Sequence, residues 1–226
     1  MIGNIKHVFN RGVNKINIFN NDFDRKRFVE CLYKFNNVDG AIRDRSKNIF
    51  ANPPPQEKLV EILKWTLMPN HFHLLLVEVT DGGITEFIKR LGNGYTKYFN
   101  IKNKRSGYLF QNTAKMILLE NDQQFLYIPY YLDMNILDTG FQNWKEAGIK
   151  DMKKAIDFLN NYKWSSFTDY YKTHQSGQPG RLTTPDRDFT CLVNREMFYD
   201  LFDITEKEYQ KELKGLIKNP IPKMKL

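Results

Sequence analysis

The apolar positions in the first eighty residues follow two different periods. Over residues 5–19 they recur at every second position and are interrupted at a glycine, which predicts a strand with a short continuation. Over about residues 22–36 the spacing becomes three and four behind an Asn-Asn-Asp cap, which predicts an amphipathic helix. Residues 58–67 and 71–79 predict two further strands, joined across Met68-Pro69-Asn70 as a hairpin or bent pair.

The rest of the chain is predicted to be mainly helical. The expected elements are a helix over about 84–100, a strand near 115–119, and helices over about 123–137, 150–160 and 194–217. A stretch rich in Gly, Pro, Ser and Thr from Thr173 to Arg187 predicts a loop or linker. We therefore expect one domain over residues 1–170, followed by a linker and a basic helical extension over residues 171–226.

The charge balance narrows the class of partner. Among 226 residues, 34 Lys and Arg stand against 26 Asp and Glu, which gives a net charge of +8. Such an excess favours a polyanion, either nucleic acid or an anionic membrane surface. The 12 tyrosines and 17 phenylalanines favour nucleic acid, because aromatic rings stack on unpaired bases. An ordinary basic protein remains the alternative at this point.

Cysteine usage and hydropathy indicate the compartment. Cys31 and Cys191 are far apart and belong to no CxxC pair, which argues against a zinc ribbon or a disulfide scaffold. The first residues contain no apolar signal region, and no apolar run approaches the ~20 residues of a membrane span. We expect a soluble cytoplasmic protein. The high Lys, Asn, Ile and Phe usage favours a prokaryotic source, in which a nucleic-acid-binding protein would associate with the nucleoid and not with a membrane.

The most informative motif is His71-Phe72-His73, which contains two of the four histidines of the chain. In a strand, residues i and i+2 project from the same face, so the two imidazoles would lie together. Two adjacent imidazoles are half of a divalent metal site. The alternative is a pair of polar residues on the wetter face of a half-buried strand, since so short a motif is weak by itself.

The predicted helix over 123–137 offers groups that could complete such a site. Tyr131 and Asn135 are spaced i, i+4, which places a phenol and an amide on one helical face. A tyrosine beside a metal-bound phosphate can attack phosphorus and form a phosphotyrosine link. For a helical tyrosine taken by itself, an ordinary core contact is the alternative.

A series of motifs in order along the chain resembles a known family. They are His7-Val8-Phe9-Asn10-Arg11-Gly12, then Met68-Pro69-Asn70-His71-Phe72-His73-Leu74-Leu75, Gly107-Tyr108-Leu109-Phe110-Gln111, Tyr131-Leu132-Asp133-Met134-Asn135 and Trp164-Ser165-Ser166. Over roughly residues 5–170 the chain is similar to the HUH single-tyrosine transposases, with an IS200-like domain, and most of all to the REP-associated tyrosine transposases.

The resemblance implies a fold, a reaction and a set of residues. The fold would be α+β, with a ferredoxin-like antiparallel sheet flanked by helices. His71, His73 and Asn135 would hold Mg or Mn, and Tyr131 would open single-stranded or hairpin DNA, keeping the 5′-phosphate end and freeing a 3′-OH. No nucleotide cofactor would be needed. The basic residues expected to contact DNA are Arg11, Lys89, Arg90, Lys97, Lys104 and Arg105.

The chain also departs from the family pattern. Ile136 follows Asn135 where the family commonly has Pro, and Pro129 lies two residues before the expected nucleophile, where it could kink the helix. Tyr127 and Tyr130 crowd the same segment. Two other functions stay open: a domesticated, non-catalytic binder of hairpin DNA or RNA, and a metal-dependent phosphodiesterase that uses water. The protein could be a monomer or a homodimer that exchanges the tyrosine helix.

Overall fold

A four-stranded antiparallel sheet forms the centre of the computed structural model, which describes residues 2–43, 48–171 and 189–221. The strands are β1 (Ile5–Arg11), β2 (Val60–Met68), β3 (His71–Glu78) and β4 (Lys115–Leu118), in the spatial order β2-β3-β1-β4. Helix α1 (Asp22–Lys34) follows β1, and helix α2 (Gly83–Lys102) follows β3. This βαββαβ order with antiparallel pairing is the predicted ferredoxin-like arrangement, and the fold class is confirmed.

Six more helices follow the sheet in the described part of the chain. They are α3 (Asp122–Met134), α4 (Trp144–Ala147), α5 (Met152–Asn161), α6 (Phe167–Tyr170), α7 (Arg195–Phe202) and α8 (Glu206–Lys218). The predicted tail helix is two helices, because Asp203 adopts a left-handed conformation with φ of 46° and ends α7. The predicted linker over Thr173–Arg187 lies outside the described residues. None of the described helices is long and apolar enough to cross a bilayer.

The predicted continuation of the first strand beyond Gly12 is wrong. After β1 the chain forms a 3-10 turn over Val13–Lys15. A Cβ at Gly12 would lie 2.3 Å from the carbonyl oxygen of Ile16, so only glycine allows the chain to fold back so tightly here. Ile18 is nevertheless buried, and its backbone N–H donates to the carbonyl of Pro69. The apolar alternation therefore reflected burial in a loop, not sheet pairing.

The two faces of the sheet have different coverings. Phe72 of β3 points towards α1, where its ring centroid lies 5.0 Å from that of Phe28. His71 and His73 point to the opposite face, which α3 covers; there Thr66 of β2 donates from Oγ1 to the carbonyl of Leu132 in α3. The alternation of β3 thus separates an apolar face from the face that carries the histidines.

A β-bulge in β2 changes which residues face α3. Ile62 pairs with Leu76, but Lys64 pairs with Leu75, so Leu63 is an extra residue in the ladder. If Leu63 were paired regularly and β2 had no bulge, Lys64 would project to the same side as Ile62, because residues i and i+2 of a strand share a face. The bulge therefore turns Lys64 towards the face that carries the histidines.

The outer edge of β2 is covered by later parts of the chain. The backbone N–H of Ser166 donates to the carbonyl of Trp65, and that of Leu67 donates to the carbonyl of Trp164. Further along the same edge, the N–H of Asn194 donates to the carbonyl of Ile62. These bonds satisfy an edge that would otherwise be open to pairing with another chain. The domain boundary near residue 170 stays a prediction, and segments on both sides of it pair with β2.

Candidate active site

His71 and His73 lie side by side on the face of the sheet beneath α3. Their ring centroids are 5.0 Å apart and the rings meet edge to face. His73 is 5% exposed, whereas His71 is half-buried. The pair therefore has one open side, on which a ligand can reach His71.

Each of these imidazoles has an intramolecular partner on its Nδ1 side. Nδ1 of His71 lies 2.6 Å from Oδ1 of Asn70; because an amide oxygen only accepts, Nδ1 carries the proton and Nε2 keeps its lone pair. Nδ1 of His73 lies 2.9 Å from Nε2 of His7 in β1. When His73 is the donor in that bond, its Nε2 also keeps a lone pair. Asn70 and His7 thus hold the rings in the manner of the outer partners of metal-binding histidines.

His7 is a member of the site for which the sequence analysis gave no role. It is 2% exposed, and its ring stacks on that of His73 at a centroid distance of 5.1 Å. The signal was present in the sequence, since alternation along β1 places His7 and Phe9 on one face. Recognising it required the pairing of Phe9 with His73, which only the sheet register provides.

The electrostatics keep all three histidines neutral. Burial lowers the pKa of His7 to about 4, and burial, with a smaller contribution from the positive charge of Arg11, lowers the pKa of His71 to about 4. Burial lowers the pKa of His73 well below its ordinary value. The neutral imidazole is the form that binds a metal ion, so the site is ready to do so at neutral pH.

Tyr131 of α3 packs against His73 and His7 within the same chain. Its ring centroid is 5.8 Å from that of His73 and 6.0 Å from that of His7, with both contacts edge-on. The other two tyrosines of the segment are placed differently. Tyr130 points away and donates to Glu212 of α8, while Tyr127 lies beside Tyr131 at 6.0 Å. Helix α3 is continuous through Pro129.

Asn135 keeps the expected relation to Tyr131, although the α-helix is shorter than predicted. Helix α3 ends at Met134 and a 3-10 turn follows, but the backbone N–H of Asn135 still reaches the carbonyl of Tyr131. The Asn135 side chain is 4% exposed, and its Nδ2 has no hydrogen-bond partner among the described residues. A half-turn of the amide exchanges nitrogen and oxygen, so this unpartnered end can present an oxygen to a cation.

Three of these side chains are of types that can bind a divalent cation. In the described ranges no three His, Cys, Asp or Glu side chains cluster as a metal site does. The candidate ligands are instead the imidazoles of His71 and His73 and the amide of Asn135. Neutral nitrogen and amide oxygen donors suit ions that also accept water and phosphate oxygens.

Comparisons with known proteins give a likeness over part of the chain. Residues 25–131 match the family model described as "Transposase IS200 like". Over these residues the chain is similar to the IS200-like transposases. The matched segment includes His71, His73 and Tyr131, whereas His7 and Asn135 lie outside it.

Structural comparison gives a more distant likeness. A solved structure of a REP-associated tyrosine transposase bound to a REP hairpin is 13% identical, with a TM-score of 0.42. The comparison covers 82% of this chain and 92% of that chain. Among curated proteins, none matches the sequence.

The basic residues expected to contact DNA are distributed unevenly around the structure. Arg11 is exposed and pairs with His71 across the sheet, while Lys97 and Lys104 are exposed on and just after α2. Arg90 is half-buried and donates to Glu86 and to the carbonyl of Asn37, and Arg105 donates to the carbonyl of Tyr108. Arg11 is therefore the member of this set beside the histidines.

Two other features of the structure were not found from the sequence. Lys145, the second residue of α4, is close enough to lower the pKa of His71 and His73, and its Nζ lies 2.6 Å from Oδ2 of Asp138. A groove of about 670 Å³ runs between α2 and residues 108–116, and exposed Lys89 is part of its wall. Both depend on contacts between distant segments, which periodicity does not show.

Proposed function

We propose that this protein cuts and transfers single strands of DNA through a covalent 5′-phosphotyrosine at Tyr131. The observation that carries the proposal is the placement of the Tyr131 ring 5.8 Å from that of His73, over a pair of neutral imidazoles in one chain. A nucleophile placed beside groups that suit a phosphate-activating cation is the arrangement that phosphoryl transfer needs.

The reaction follows from the residues present. The phenolic oxygen of Tyr131 forms a bond to phosphorus as the bond from phosphorus to the 3′ oxygen breaks; the phenol loses its proton to solvent, and the departing oxygen gains one to leave as 3′-OH. Because the phosphodiester is replaced by a phosphotyrosine ester, the same exchange in reverse can rejoin a strand without a nucleotide cofactor.

His71, His73 and Asn135 are the residues that would hold Mg or Mn. Such an ion, when bound, polarises the phosphate and stabilises the charge that develops on its oxygens. Asn70 and His7 orient the two imidazoles for this purpose through their Nδ1 atoms.

The DNA partner is supported by positive charge near the histidines and by a groove beside α2. Arg11 and Lys145 provide positive charge near the histidines, and the chain as a whole carries a net charge of +8. The groove beside α2 combines the ammonium of Lys89 with the aromatic ring of Tyr108, which is 88% exposed. Positive charge with exposed aromatic rings is typical of surfaces that bind single strands. We infer that hairpin-forming single strands are the substrate.

The test compares Tyr131→Phe with Tyr127→Phe, a matched change one helical turn away. Each protein is incubated with labelled hairpin oligonucleotides and Mg or Mn, and covalent adducts are separated under denaturing conditions. The wild type and Tyr127→Phe are expected to form the adduct, and Tyr131→Phe is expected to bind the same DNA without forming it.

The other outcomes identify the alternatives. An adduct with Tyr131→Phe would show that the nucleophile is another residue. Cleavage without any adduct would indicate a phosphodiesterase that uses water. Salt-dependent hairpin binding that is indifferent to metal and to Tyr131→Phe, with no cleavage, would indicate a binding protein that does not transfer strands.

A further inference from the structure

A buried ion pair connects the helix that carries Tyr131 to strand β2. Nζ of Lys64 lies 2.8 Å from Oδ2 of Asp133, and both side chains are 0% exposed. Asp133 follows Tyr131 by two residues in α3, so at about 100° per residue the two side chains leave the helix on nearly opposite sides. A bond that fixes Asp133 therefore also fixes the direction in which Tyr131 points.

The C-terminal helices supply the second part of this arrangement. The hydroxyl of Tyr209 in α8 donates to Oδ2 of Asp133 at 2.6 Å and lies 3.2 Å from the carbonyl oxygen of Pro129. Burial raises the pKa of Tyr209 well above its ordinary value, so the hydroxyl stays a donor. Nζ of Lys64 also lies over the rings of Tyr170 and Tyr209, at 4.1 and 4.5 Å from their centroids.

The sheet supplies the third part. Thr66 of β2 donates from Oγ1 to the carbonyl of Leu132 at 3.0 Å, one residue before Asp133. Lys64 and Thr66 face α3 only because the bulge at Leu63 shifts the register of β2. A strand without that bulge would direct both side chains towards the opposite side of the sheet.

An ion pair in this position is difficult to explain by stability. Removing two charges from water costs about as much as their attraction returns, and apolar residues of the same volume often give an equally stable protein. What charged and hydrogen-bonded groups add is direction, since they satisfy one another in a single geometry. The network spans β2, α3 and α8, and it contacts α3 at three residues within one helical turn, namely Pro129, Leu132 and Asp133.

We propose that four positioning residues, which we call the α3 anchor, set the rotation of α3 and so direct the Tyr131 hydroxyl towards the His71/His73 pair. The α3 anchor consists of Lys64, Thr66, Asp133 and Tyr209. The inference rests on the proposed function and adds to it a role for the C-terminal extension. Helix α8 is then part of the machinery that places the nucleophile.

The decisive variants remove one hydroxyl each and keep the shape of the side chain. Tyr209→Phe breaks the bond to Asp133, and Thr66→Val breaks the bond to Leu132. Tyr199→Phe is the matched control, because its hydroxyl bonds to the carbonyl of Tyr170 and not to α3. Using two test variants keeps the experiment decisive if one of them fails to fold.

Two measurements on the full chain separate positioning from general stability. In single-turnover reactions we expect the rate of adduct formation to fall about 10- to 100-fold in the test variants, with unchanged hairpin affinity and an unchanged control, since a displacement near 1 Å costs that much. A 3-fluorotyrosine placed at position 131 should show a shifted or split ¹⁹F resonance in the test variants and the wild-type resonance in Tyr199→Phe.

The two readouts also distinguish this inference from the proposed function. A ¹⁹F resonance and an adduct rate that both stay at wild-type values in folded Tyr209→Phe or Thr66→Val would overturn the α3 anchor. If the wild type forms no adduct but the resonance moves as expected, the proposed function fails and the positioning of Tyr131 stands.

Discussion

His7 provides the sharpest quantitative test of the proposed metal site. Its Nε2 is 2.9 Å from Nδ1 of His73, in a position where His7 is 2% exposed and His73 is 5% exposed. For His73 to present a lone pair on Nε2, its Nδ1 must carry the proton and donate it to His7. Replacing His7 with Phe keeps an aromatic ring of similar size and removes the acceptor.

The loss of metal affinity in His7→Phe can be estimated from the hydrogen bond that this variant lacks. An unsatisfied buried N–H costs about 1–3 kcal/mol. Without a metal, His73 avoids this cost by changing tautomer, so the penalty appears only on metal binding. At about 1.4 kcal/mol per factor of ten, His7→Phe should weaken metal binding by about 5- to 150-fold. This range agrees with the losses of about 10- to 100-fold that follow removal of outer partners of metal-binding histidines.

Calorimetric titration of the purified protein with Mn²⁺ measures the effect directly, without DNA. His7→Gln is the control, since its amide oxygen can accept the same hydrogen bond and should restore much of the affinity. Thermal unfolding followed by circular dichroism checks that the variants fold. Wild-type Mn²⁺ affinity in folded His7→Phe would refute the tautomer argument, and equal losses in the two variants would attribute the effect to packing alone.

Two further predictions concern the scaffold. Gly94→Ala should lower the free energy of unfolding by about 1–2 kcal/mol, because the new Cβ would lie 2.3 Å from the ring of Phe35. In the same helix a Cβ at Gly92 would meet open space, so Gly92→Ala should raise the free energy of unfolding by about 0.5–1 kcal/mol. Urea denaturation of the pair checks both signs, and equal effects would contradict the packing argument. Burial favours a raised pKa for Asp24, but hydrogen bonds, above all from Lys102, outweigh it and hold the pKa below the ordinary 3.8. The unfolded state therefore binds the proton more readily, so the stabilisation by ionised Asp24 is complete above that ordinary value and is lost as pH falls through the lower folded pKa. The free energy of unfolding of Asp24→Asn should therefore depend less on pH between about 5 and 2 than that of the wild type. An unchanged pH profile would refute this.

Local patterns were enough to predict most elements of the fold. Runs of apolar and β-branched residues on either side of Met68-Pro69-Asn70 predicted β2 and β3, and spacings of three and four predicted α1 and α2. The wrong predictions concern residues that are buried but lie outside a regular strand or α-helix. Ile18 is buried in a loop after Gly12, and Asn135 lies in a 3-10 turn although the periodicity continues past it. Periodicity records which residues are buried, but the backbone path depends on what they are buried against.

The sequence by itself determined that His71 and His73 share a face and that Tyr131 and Asn135 are one helical turn apart, because both relations depend only on the repeat of a strand or a helix. Only the tertiary structure decided what lies opposite them. His7 meets His73 through the pairing of β1 with β3, and Lys64 meets Asp133 because one extra residue in β2 reverses the direction of its side chain. Such contacts join residues more than sixty positions apart, and their geometry depends on register, which a single residue can change.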